Sequence, residues 1–134
     1  MIIANSSALI SLLVETDKNH SLAIQVSKQF QKRSDTVIIP EDIFSELINI
    51  TGKKFGHQKA YAAAISILNI KIFVIENITE QIRQKALEAY KKQPESVSFT
   101  DCLVMTIADH FETKEIFGFD EAFKKNGYIR LGID

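Results

Sequence analysis

A single cysteine, Cys102, is all the 134-residue chain holds, so no disulfide framework exists. That suits a reducing compartment, and the cytoplasm is the expected location. No apolar run approaches the ~18 residues that span a bilayer. The first residues also lack the basic region and long apolar stretch of a secretory signal, so no membrane partner is expected. A glycine-rich phosphate loop and a G-x-S-x-G turn are both missing. Net charge is -1, so global charge does not announce a nucleic-acid ligand and local basic patches would have to attract one. Repeats, linkers and low-complexity stretches are absent too, which argues for one domain over residues 1–134.

What is present is ordinary soluble-protein material: 46% hydrophobic and 25% charged residues, in a chain long enough to bury a real core. The organising stretch is Met1-Ile2-Ile3-Ala4-Asn5-Ser6-Ser7-Ala8-Leu9-Ile10. An apolar run breaks into three small polar residues, and a helical pattern follows at once. This predicts a buried first strand feeding a helix over Ser7–Val14, with Lys18-Asn19-His20-Ser21 as the break after it. Apolar spacing predicts a helix over Leu22–Phe30, and Thr36-Val37-Ile38-Ile39 reads as a buried strand stopping at Pro40. Pro40 then opens a helix, with Glu41 and Asp42 at the positive end of its dipole and Thr51-Gly52 as its end. An alanine-rich helix over His57–Leu68 follows, then a strand-like Ile70–Ile75 and a helix capped by Thr79.

Ser98-Phe99-Thr100-Asp101 has the spacing of a capping box with Asp in place of Glu or Gln. A buried helix should follow it. Glu115–Phe119 is strand-like, a short helix begins after Asp120, and Gly127–Leu131 closes the chain. Strands and helices alternate throughout, which predicts an α/β fold with a mostly parallel sheet of four to five strands covered on both faces by helices.

Right-handed crossovers put every strand-to-helix turn on one edge of a parallel sheet. Asn5, Glu46, Asp101 and Asp120 lie at such turns or in the early turns of helices. Together they would make an oxygen-rich crevice suited to Mg²⁺ or Mn²⁺. Each also has a plainer reading: Asn5, Asp101 and Asp120 as helix caps, Glu46 as a solvated glutamate. His20, His57 and His110 have no metal-ligand spacing, and Cys102 reads as a buried structural thiol. Lys53-Lys54 and Lys124-Lys125 are ordinary surface pairs that would contact phosphates only if they flank the crevice.

In order along the chain, these segments resemble the PIN-domain family, particularly the small toxin ribonucleases of the VapC type. Ile2 to Ile10 resembles the family's first strand, Pro40 to Leu47 its second acidic segment with Glu46 as the acid, Ser98 to Cys102 its third with Asp101, and Phe117 to Phe123 its closing segment with Asp120. The resemblance implies a PIN-like three-layer sandwich and Mg²⁺- or Mn²⁺-dependent hydrolysis of RNA phosphodiesters. It also implies a cognate antitoxin and a homodimer. Catalytic and metal-holding roles then fall to Glu46, Asp101, Asp120 and the position of Asn5. Ser7 and Thr100 would support them as neighbouring hydroxyls, with Lys53, Lys54, Lys124 and Lys125 as RNA contacts. An apolar antitoxin segment would suit the helix from His57 to Leu68.

One departure stands out. The family carries aspartate where this chain has Asn5, which keeps the shape and one carbonyl oxygen but loses the charge. The change is expected to lower or abolish activity in an otherwise competent enzyme. The rival reading is a catalytically inactive PIN-fold binding or regulatory protein. A phosphatase with an aspartate nucleophile after the first strand is disfavoured, because Asn5 cannot be that nucleophile and no second acid follows two residues on.

Overall fold

A computed structural model describes residues 1–134. Five strands form one sheet: β1 (Ile2–Ala4), β2 (Val37–Pro40), β3 (Phe73–Glu76), β4 (Glu115–Phe117) and β5 (Ile129–Arg130). Their spatial order is β3-β2-β1-β4-β5, and every neighbouring pair is parallel. All residues of β1 and β2 are buried, as expected where helices cover both faces of a sheet.

Seven helices connect the strands: α1 (Ser6–Leu13), α2 (His20–Lys32), α3 (Glu41–Phe55), α4 (His57–Asn69), α5 (Glu80–Lys91), α6 (Phe99–His110) and α7 (Glu121–Lys125). The chain runs from β1 outward to β3, then returns to the other side of β1 through α5 and α6. Right-handed connections running in opposite directions place helices on opposite faces. The reversal makes the carboxyl ends of β1 and β4 the switch point of the sheet, where ligands bind in such folds.

One core of 30 buried residues spans the sheet and its helices. Phe30 of α2 sits edge-on against Phe117 of β4 and Phe73 of β3, with ring centroids 5.4 and 6.3 Å away. α6 is buried along eight successive residues, Asp101 to Ala108, and packs against α5, β1 and β2.

The elements differ from the sequence reading mainly at their ends. α2 starts at His20, because Asp17 and Asn19 make the turn and His20 and Ser21 already belong to the helix. β3 starts at Phe73 after a turn over Lys71-Ile72, and β4 and β5 are shorter than their apolar runs. The largest difference is α3, which runs through Thr51-Gly52 to Phe55. A side chain at position 52 would meet the His57 ring at 3.4 Å and the Ala60 Cβ at 3.8 Å, so Gly52 lets α4 pack closely on α3. The true break is Gly56, whose φ of 94° favours glycine.

Gly118, just after β4, matters most for the switch point. A Cβ there would lie 2.8 Å from Phe123 Cε2 and 3.0 Å from Asn5 Cβ. The bare glycine lets the two strand exits converge. Gly118→Ala is expected to cost about 1–3 kcal/mol by overpacking and to shift the Asn5 and Phe123 resonances. Denaturant unfolding with NMR checks this.

Candidate active site

Asn5 leaves β1 with its backbone N–H donating to the Phe117 carbonyl of β4 at 2.9 Å. It occupies the N-cap position of α1, yet its side chain makes no capping hydrogen bond. The amide instead turns inward, 3% exposed, and Nδ2 makes long contacts of 3.5 Å with Ser7 Oγ and Asp120 Oδ2. Asp120 is likewise the N-cap residue of α7 with a side chain that does not cap. Capping therefore does not explain either residue's orientation.

Asp101 does cap. Ser98 Oγ accepts from the Asp101 N–H at 3.1 Å, and Asp101 Oδ2 accepts from the Ser98 N–H at 3.2 Å. The box occupies one carboxylate oxygen and leaves Oδ1 for other work. Burial pushes the Asp101 carboxyl above the ordinary aspartate range, opposed by the Ser98 hydrogen bonds and reinforced by the nearby Asp120. Two carboxyl groups thus crowd each other at the switch point.

Glu46 lies one turn into the apolar side of α3 and is half-buried. Ser6 Oγ donates to its Oε1 at 2.6 Å, which ties α3 to the first turn of α1. Asn5, Glu46, Asp101 and Asp120 all line one open cavity of about 570 Å³, together with Ser7 and Thr100. Ser7 Oγ faces the Asn5 amide, and Thr100 Oγ1 lies 3.0 Å from Ser98 Oγ. The cavity thus unites residues from four distant segments. Its acids are spread along the wall, and no three His, Cys, Asp or Glu side chains are clustered as a metal site.

The lysine pairs separate. Lys54 lines the acidic cavity and Lys53 does not. Lys125 lines an adjoining cavity with Asp101 and Asp120, while pairing with Glu121 at 3.7 Å. Lys124 points to Asp134 at 3.8 Å and lines neither cavity.

Several lining residues escaped the sequence reading. Ser6 could have been suspected, since three small polar residues follow β1, but only the fold shows which hydroxyl reaches Glu46. Asp17, Lys18 and Asn19 line the same cavity from the turn between α1 and α2. Nothing in their local sequence marks them out.

The donor set suits a hard divalent cation. It combines the free oxygen of Asp101, the uncapped Asp120 carboxylate, Glu46 and an amide that can present its oxygen. Burial first, and the neighbouring Asp120 second, disfavour the charged form of Asp101, which a cation held between the two carboxyl groups would offset.

Comparison with known proteins agrees with this architecture. A family model described as PIN domain matches residues 2–127. A VapC ribonuclease from Aquifex aeolicus (strain VF5) is 24% identical over 130 residues, covering 96% of this chain and 93% of that protein. The crystal structure of Mycobacterium tuberculosis VapC20, described as a toxin that cleaves the sarcin-ricin loop, superposes with a TM-score of 0.84. It is 21% identical, and the match covers 98% of each chain.

Proposed function

Because the chain belongs to the PIN-domain family, we propose that it is built as a divalent-metal-dependent endoribonuclease of the VapC toxin type, and that Asn5 curtails its activity. The observation that carries this reading is the shared cavity: side chains from the β1–α1 junction, α3, α6 and the β4–α7 junction line it at the switch point. Neither Asn5 nor Asp120 is explained as a cap. The similarity to a VapC ribonuclease supplies the substrate class.

Asp101, Asp120, Glu46 and the Asn5 side-chain oxygen would hold Mg²⁺ or Mn²⁺. Such an ion, when bound, would lower the pKa of a bound water and offset negative charge on the scissile phosphate. The chain's own residues do the positioning. Ser98 pins Asp101 through Oδ2 and leaves Oδ1 without a hydrogen bond. Ser6 fixes Glu46 through one oxygen. Ser7 faces the Asn5 amide, and Thr100 braces the Ser98 hydroxyl. Lys54 on the cavity wall and Lys125 at its edge supply cations for the RNA backbone. RNA cleavage by this chain and by Asn5→Asp, with and without Mg²⁺, tests the reading. Equal inactivity of both proteins would favour the binding-protein alternative.

The same reading includes an antitoxin and a homodimer in the cytoplasm. A separate cavity of about 360 Å³ lies between the end of α1, α3 and α4. Leu13, Val14, Ala62 and Ala63 form its apolar lining, with Glu15 and Lys59 among its polar residues. The Thr51 hydroxyl beneath it is buried with no hydrogen-bond partner. An apolar antitoxin segment fits this place, while Tyr61, Ile65 and Leu68 expose a second face of α4 for a partner copy. Ala63→Glu is expected to abolish antitoxin protection against the Asn5→Asp toxin in co-expression. Full protection would remove the segment from this cavity.

A further inference from the structure

The turn between α1 and α2 is unusually well tied for an exposed connection. Asp17 Oδ2 accepts from the buried Ser11 hydroxyl at 2.7 Å and from the Asn19 N–H at 2.9 Å. The His20 Nδ1 lies 2.7 Å from the Ser11 carbonyl. Backbone bonds from Asp17 N–H to Val14 and from His20 N–H to Asp17 close the turn, both at 3.0 Å. One carboxylate oxygen thus anchors the turn to the side of α1.

Lys18 sits at the crest of this turn. It is exposed, lines the acidic cavity and makes no ion pair. Lys54 on the same wall is also without an ion pair. Lys18, exposed and without an ion pair, is free to meet an outside anion. The polyanion that reaches this cavity must pass a wall of acids, and fixed cations at its rim offset that repulsion.

Resting on the ribonuclease reading, we propose that the α1–α2 turn is a phosphate-gripping arm. Lys18 contacts an RNA backbone phosphate together with Lys54, and Asp17 is the positioning residue that holds the arm in place.

The test measures binding of a fluorescein-labelled single-stranded RNA by the chain as it stands, in fixed Mg²⁺, across a range of monovalent salt. Each phosphate contact to a single strand contributes about 0.7 to the slope of log affinity against log salt. Lys18→Ala is therefore expected to lower the slope by about 0.7, and Lys18→Arg to retain it. Asp17→Ala supplies a contrast of sign. It removes a negative charge, so charge alone would tighten binding, whereas loss of the anchor weakens binding and lowers the slope. An unchanged slope in Lys18→Ala, or tighter binding by a folded Asp17→Ala, overturns the proposal. Should Asp17→Ala fail to fold, the Lys18 slopes decide alone. If the parent binds no RNA at any salt, the ribonuclease reading falls as well; if it binds and Lys18→Ala changes nothing, only the arm falls.

Discussion

Asn5→Asp is expected to raise Mg²⁺-dependent RNA cleavage by at least about 100-fold, since even residues supporting a metal's ligands typically change activity by ~10–100-fold. The new carboxylate would stand where the Asn5 amide now donates toward Asp120 at 3.5 Å. Without metal it would replace a weak attraction with repulsion between like charges. At about 4 Å such a pair costs on the order of 1–4 kcal/mol, between the bulk-water and protein-surface values. The variant is therefore expected to melt below the parent in EDTA and to recover when Mg²⁺ is added. The parent, with one charge fewer, should respond less. Thermal melts of both proteins with and without Mg²⁺, beside a gel assay of RNA cleavage, separate the two effects. Equal Mg²⁺ responses would show that position 5 lies outside the ion's reach.

Asp101→Asn, made in the Asn5→Asp protein, is expected to cost about 100-fold or more in cleavage while raising metal-free stability at neutral pH. The substitution keeps an acceptor for the Ser98 N–H, so the cap of α6 survives. It removes a charge that burial and Asp120 already disfavour. The sign of its pH dependence follows from the raised folded pKa. Such a carboxyl stabilises the fold fully below its unfolded pKa, and that contribution is lost as pH rises through the folded value. The stability advantage of Asp101→Asn should thus grow with rising pH across that interval and vanish in acid. Denaturant melts at several pH values measure it. A variant that is less stable at neutral pH would mean that Asp101 is held for its cap and not for its charge.

Much of the fold could be read from residue patterns, because the strongest signals are local. Ile2-Ile3-Ala4 and Val37-Ile38-Ile39 are uninterrupted buried runs, which in a parallel sheet need no alternation. Ser98 and Asp101 form the capping box that their spacing predicts. The misreadings fall where distant packing decides. Gly52 looks like a helix end, yet α4 needs it bare for close approach to α3. His20 looks like part of a break, but Asp17 and Asn19 complete the turn before it.

Asn5 and Asp120 were legible as a pair because handedness sends every strand exit to one edge, whereas Asp101 follows the helix α5 and Glu46 lies inside α3, so their place in the cavity rests on the family resemblance. The cavity's cations were legible only in part. Lys53 and Lys54 are adjacent, and only the rotation of α3 decides that Lys54 lines the cavity. Lys124 is drawn toward Asp134 at the far end of the chain. Lys18 depends on an anchor from Asp17 to Ser11 that no residue pattern announces.

The most direct test is a Mn²⁺ titration of the Asn5→Asp protein followed by two-dimensional NMR of its backbone amides. The account predicts that substoichiometric Mn²⁺ broadens the amides at positions 5, 46, 101 and 120 together, and more strongly than those at the opposite edge of the sheet, at Thr36 and Lys114. Broadening scattered over surface carboxylates, or confined to one of the four segments, would contradict it.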